Sequence, residues 1–224
     1  MEDSVGSNLG NTGRDFFSVA PRETALIVID MQNAFVAEGA TFETAGARAM
    51  IPRLESLIAF ARAHNMPVIW TQSDHRPPFG GLMLRKFPPI ADGVLWPGDR
   101  SYDFYPQVHP APGKREYCIV KHKFDAFFET PLEAILRNHG IRTLIVTGTA
   151  TNACCESTAR SAFMRDYQVA FPSDANATFD EAMHQATLRN IDLLFGRVMT
   201  TEQLLTEMNE SLAATAATAT RKTG

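Results

Sequence analysis

The chain has 224 residues, 45% hydrophobic and 21% charged, with a formal charge of -4. A chain of this size buries a sizeable core without disulfides or metals, and the composition excludes wholesale disorder, a collagen repeat and a coiled coil. The acidic balance and the absence of a basic run exclude nucleic acid as an expected partner.

Residues 1–22 are rich in Gly, Asn, Ser and Arg, with Phe16, Phe17 and Val19 as the only anchors, and read as a loosely packed N-terminal arm. They carry neither the cationic start nor the apolar stretch of a secretory signal, and the apolar run Ala25 to Ile29 is far too short to span a bilayer. The expectation is a cytoplasmic protein with no membrane partner. Its three cysteines, Cys118, Cys154 and Cys155, fit a reducing compartment, since an odd count with two adjacent makes a poor disulfide framework.

From residue 23 to 208 a single domain is expected. Ala25 to Ile29, Pro67 to Thr71, Tyr117 to Val120, Thr143 to Thr147 and Val169 to Phe171 read as buried strands, with a weaker one at Arg197 to Met199. Helical periodicity joins them. Ile51, Leu54, Leu57, Ile58 and Ala61 form one apolar face, Leu132, Ile135 and Leu136 a second that Gly140 ends, and further helices are read at about 152–166 and 180–194. Alternating strands and helices imply right-handed crossovers and a parallel sheet covered on both faces, a doubly wound α/β/α sandwich. Residues 76–114 hold eight of the thirteen prolines and read as a lid or an oligomer contact. Residues 209–224, an Ala/Thr tract, read as a flexible tail.

In an open parallel sheet, ligands collect at the carboxyl ends of the strands. There the first strand ends in Asp30, the third runs into Lys121, and the fourth leads through Gly148 to Cys154. With Thr151 or Asn152 as cap, Cys154 lies in a first helical turn, whose free N–H groups favour a thiolate and are able to hold an oxyanion. Cys155, on a stripe with Ala159, Ala162 and Phe163, faces the core. Taken singly, a cysteine is most often a small buried hydrophobe and a lysine is usually solvated. Together on one sheet edge, the acid, the cation and the thiol favour a site.

Three blocks, Thr24 to Phe35, Val120-Lys121 with Ala126-Phe127 and Thr130, and Gly148 to Thr158, resemble the isochorismatase-like cysteine hydrolases. The similarity extends over about 23–205; Asn190 to Gly196 resembles the ureidoacrylate amidohydrolase branch, and His75-Arg76-Pro77 the biuret and carbamoyl hydrolases. The resemblance implies a catalytic triad of Asp30, Lys121 and Cys154. It prefers Lys121 to Lys123 because Phe127 stands six residues after it, and it implies a cis peptide at Thr149–Ala150 that aims the Ala150 N–H, beside that of Cys154, into an oxyanion hole. The implied activity is cleavage of a C–N bond in a small amide, carbamoyl or ureido compound through a thioester, without a cofactor, in a homo-dimer or homo-tetramer.

Phe35, five residues after Asp30, and Phe124, where related amidohydrolases carry an aromatic, are the expected substrate-binding wall, with Trp70 a weaker candidate. No metal is expected: nicotinamidases of this superfamily bind one through Asp and several His, whereas here Asp74-His75 is followed by no histidine before His109. His184 reads as exposed, and a direct grip on substrate by His75 or Arg76 stays open. Two other readings are vinyl ether hydrolysis of the isochorismatase type, whose branch lacks the cysteine, and a catalytically silent oligomeric binding protein.

Overall fold

The structure is a computed structural model describing residues 16–111 and 115–221. Seven strands form one sheet: β1 Thr24–Ile29, β2 Val68–Ser73, β3 Glu116–Lys121, β4 Thr143–Thr149, β5 Gln168–Pro172, β6 Asn176–Ala177 and β7 Arg197–Met199. The order is β3-β2-β1-β4-β5-β7, with β6 beside the end of β4, and every paired neighbour is parallel. The chain winds outward from β1 through β2 to β3 and then returns to β4 on the other side, so the topological switch lies between β1 and β4.

Strand alternation divides the core. Leu26 and Val28 of β1 face one hydrophobic cluster, together with α1 (Ala47–Ala63) and Leu204 and Met208 of α5 (Thr201–Arg221). Ala25, Ile27 and Ile29 face the other, which is covered by α2 (Leu132–Asn138), α3 (Glu156–Phe163) and α4 (Glu181–Asn190). This is a three-layer α/β/α sandwich. The helix ended by Gly140 stops as its sequence implies, in a left-handed conformation at φ 64.

Two expectations change at the edges. The arm is described from residue 16, and its end is held rather than loose: Phe17 and Val19 are buried, the Val19 N–H donates to Glu207 Oε1 at 2.8 Å, and Arg197 Nη1 donates to the Phe17 carbonyl at 2.7 Å. Residues 1–15 and 222–224 lie outside the described residues. The tail read from residue 209 is instead the second half of α5, because alanine has the strongest helix propensity and continues a helix already docked by Leu204 and Met208. Strand β6, two residues long, carries no period of its own in the sequence. Among the described residues no helix is long and apolar enough to cross a membrane.

Register brings the chemistry to one edge. Ser73, the last residue of β2, pairs with Lys121, the last of β3, and Ile29 pairs with Gly148, so Asp30 follows β1 at the same level. Gly148 has φ 116, and a Cβ there would stand 2.1 Å from the Ile29 carbonyl oxygen. Only glycine lets β4 approach β1 this closely at the switch point.

Candidate active site

Asp30 leaves β1 in the left-handed region at φ 48, a conformation that Asp tolerates better than most side chains. Its N–H donates to Thr71 Oγ1 (3.1 Å), and its carbonyl accepts from Thr149 Oγ1 (2.9 Å). Thr71 then donates its own hydroxyl to Asp30 Oδ1 at 2.6 Å, and Ser73 donates to Oδ2 at 2.9 Å. Both are strand residues whose roles are invisible in the sequence, where polar positions in β2 look like ordinary alternation.

Lys121 is fully buried, with Nζ among four acceptors: Asp30 Oδ2 at 2.7 Å, Ser73 Oγ at 2.9 Å, the Lys123 carbonyl at 3.1 Å and Cys154 Sγ at 3.2 Å. Lys123 is elsewhere, its Nζ donating to the Phe79 carbonyl at 3.0 Å. The acid, the ammonium and the thiol that the sequence placed on one edge are therefore in direct contact.

Burial alone would push the Asp30 carboxyl up, but the charge of Lys121 and hydrogen bonds from Lys121, Thr71 and Cys154 hold it below the usual 3.8. Burial likewise opposes the charged ammonium, yet Asp30 and Cys154 raise Lys121 above the ordinary lysine range. The thiol behaves otherwise. Burial and the neighbouring Asp30 push Cys154 up to about 12 against the pull of Lys121. Burial and the Asp30 carboxylate therefore oppose the thiolate that the helix terminus favours, a macrodipole being worth only about 0.3–1 kcal/mol.

The turn bearing the thiol also differs from its expected form. Thr151–Cys155 is a π-helical turn preceding α3, and neither Thr151 nor Asn152 caps it. The Thr151 hydroxyl instead meets His184 Nδ1 at 2.9 Å, and His184 Nε2 meets the Ser173 carbonyl at 3.1 Å, so His184 is half-buried rather than exposed. The Ala150 carbonyl accepts the N–H of Ala153 (3.0 Å) and of Cys155 (3.2 Å) and passes over that of Cys154. The Thr149–Ala150 peptide is cis, and the Ala150 N–H has no acceptor among the described residues. Cys155 packs into the core, while Cys154, 5% exposed, lines a cavity of about 100 Å³.

Phe35 and Phe124 both line that cavity, with Phe42, Met83, Phe87 and Phe179. The last four were not singled out in the sequence, because they come from separate segments with no common spacing. Two of them, Met83 and Phe87, belong to the proline-rich stretch, which folds over the cavity through the short helices Leu82–Lys86 and Pro88–Ala91. That stretch is fastened by Gln32 Nε2 donating to the Tyr102 carbonyl and Asn33 Nδ2 to the Arg100 carbonyl, at 2.8 and 2.9 Å. Trp70 is core: fully buried, it donates its indole N–H to Glu116 Oε2 at 2.8 Å. Among the described residues no group of three or more His, Cys, Asp or Glu is placed to hold a metal ion.

Thr71→Val removes a 2.6 Å donor to a buried carboxylate, and the expected cost is about 1.5–3 kcal/mol of stability in chemical denaturation. An unchanged denaturation midpoint would show that Thr71 does not support Asp30.

A doubly wound parallel sheet thus gathers an acid, a lysine and a cysteine at its switch point. The isochorismatase domain model matches residues 24–203, and the chain belongs to the isochorismatase family. It is 35% identical over 206 residues to the ureidoacrylate amidohydrolase RutB of Klebsiella pneumoniae subsp. pneumoniae, covering 83% of this chain and 86% of that protein. The Methylobacterium radiotolerans protein of the same name is 34% identical over 199 residues, with 80% and 76% covered. Among solved structures, a cysteine hydrolase from Pseudomonas syringae pv. phaseolicola superposes with a TM-score of 0.82 at 26% identity, over 87% of this chain and 96% of that one. The N-carbamoylsarcosine amidase of Thermoplasma acidophilum gives 0.67 at 25% identity, over 80% and 96%.

Proposed function

We propose that the chain is a cysteine amidohydrolase that cleaves the C–N bond of a small amide, carbamoyl or ureido compound. The observation that carries this reading is Lys121 Nζ standing 2.7 Å from Asp30 and 3.2 Å from a Cys154 thiol that opens onto a cavity. Relatives named as ureidoacrylate amidohydrolases and a structural neighbour named as an N-carbamoylsarcosine amidase support the bond type.

As the sulfur attacks the carbonyl carbon, its proton passes to Asp30. The resulting oxyanion is held by the N–H groups of Ala150 and Cys154. Collapse breaks the C–N bond, the Asp30 proton leaves on the amine or ammonia, and a thioester remains on Cys154. Water then attacks the thioester, giving its proton to Asp30, and the second collapse releases the acid and returns the proton to sulfur. Lys121 stays charged throughout and keeps the carboxylate and the developing thiolate in balance.

Ammonia release from a panel of primary amides, ureido acids and N-carbamoyl compounds tests the reaction. Cys154→Ala is expected to lower it at least about a thousandfold with the fold intact by circular dichroism. Acid-quenched mass spectrometry of the wild type should show an acyl group on Cys154. Undiminished turnover in the alanine variant would remove the cysteine from the mechanism.

A further inference from the structure

The wall beside Cys154 is notable for its lack of charge. Phe35, Phe42, Phe87, Leu95, Phe124 and Phe179 supply aromatic and aliphatic surface, and the only polar side chains among the lining residues are Ser73, His75 and Cys154. Two of those three are already engaged: Ser73 with Asp30 and Lys121, Cys154 with Lys121. Flanking cations are held away, Arg76 by Asp74 (3.1 Å) and Lys123 by the Phe79 carbonyl (3.0 Å), and neither lines the cavity.

His75 is different. Its Nδ1 lies 3.1 Å from the His122 carbonyl, which accepts only, so Nδ1 carries the proton and Nε2 is an acceptor with no partner among the described residues. The ring is fixed by its surroundings, because His122 is itself bound to the Asp74 carbonyl and stacked on Phe79 with 4.2 Å between centroids. Burial and the nearby Lys121 bring His75 down to about 4, so the ring is neutral at ordinary pH. A substrate N–H finds one acceptor here. A substrate carboxylate finds no donor among these side chains and would leave water for an apolar wall, whereas an alkyl or aryl group gains by the same burial.

We propose that this cavity selects uncharged primary amides or ureas with an alkyl or aryl substituent, that His75 Nε2 accepts a hydrogen bond from the substrate N–H, and that ureido acids bearing a carboxylate are disfavoured. The inference rests on the amidohydrolase reading and narrows it: the relatives' named substrate, ureidoacrylate, carries the carboxylate that this wall leaves unpaired.

Two matched pairs test it, pentanamide against succinamate and butylurea against N-carbamoyl-β-alanine, each differing mainly in an ethyl group or a carboxylate. Ammonia release is measured with the wild type, and binding with Cys154→Ala by NMR titration. The neutral member is expected to be favoured at least about thirtyfold in both kcat/KM and Kd. Phe124→Arg, at a partly exposed position, should shrink that ratio at least about tenfold. His75→Leu should weaken pentanamide binding about tenfold, with His75→Gln, which restores an acceptor, recovering part of it. Equal or tighter binding of the carboxylates would overturn the inference. Preferential binding of the neutral compounds with no ammonia from any of the four supports the selection and overturns the hydrolase reading instead.

Discussion

Lys121→Met is expected to abolish ammonia release, at least about a thousandfold, and to cost about 3 to 5 kcal/mol of stability, or roughly 10 °C in Tm. Asp30 is fully buried, and the ammonium at 2.7 Å is its one cationic partner among the described residues. Removing the ammonium leaves a carboxylate with only the hydroxyls of Thr71 and Ser73 and the Cys154 thiol, while the cost of burial is unchanged. The carboxyl should then move from below 3.8 to above it. In the wild type, Asp30 is depressed, so its stabilising contribution is full above 3.8 and is lost as pH falls through the lower folded value. Lys121 is raised, so its contribution is full below 10.5 and is lost as pH rises through the folded value. In the variant the Asp30 contribution changes sign, and the stability gap to wild type should widen from acid toward neutral pH. Thermal denaturation at pH 4 and pH 8 checks this. A gap that is constant with pH would mean that Lys121 acts through packing and not through charge.

The sequence carried the sheet and the meeting of Asp30, Lys121 and Cys154 at its edge because both depend on short-range chemistry. Apolar runs of five or six residues bounded by polar ones are strands almost regardless of context, and the residue that ends such a run must lie at the sheet edge. Asp30, Lys121 and Cys154 each sit at or just past a strand end, and topology did the rest. What the sequence withheld depends on contacts distant in the chain. Thr71 and Ser73 support Asp30 across 41 and 43 positions, and Phe42, Phe87 and Phe179 meet only when the proline-rich stretch closes over the edge. The opposition to a thiolate was hidden for a related reason: the helix terminus is a local effect, while the burial of Cys154 and the carboxylate from β1 arise from contacts distant in the chain. The second half of α5 was missed because Ala and Thr give no apolar stripe, although the helix needs none once its first half is docked.

Asp30→Asn separates the two roles that the carboxylate fills. Turnover should fall at least about a thousandfold, because in the proposed mechanism Asp30 accepts the thiol proton, delivers it to the leaving amine and then activates water. Alkylation should move the other way. In the wild type Asp30 is among the causes that hold the thiol at about 12, while Lys121 pulls it down. With a neutral amide in its place, only Lys121, 3.2 Å from the sulfur, still acts on the thiol's charge among those two neighbours, and the thiolate becomes its natural counterion. The variant should therefore react faster with iodoacetamide at pH 8 than the wild type, with an absorbance rise near 240 nm on titration at lower pH. Because a thiolate balances the ammonium, its stability loss should also be smaller than that of Lys121→Met. If alkylation and turnover fell together, Asp30 would be orienting the thiol rather than holding its proton, and the ordering of charge at the site, carboxylate first and sulfur only on attack, would have to be reversed.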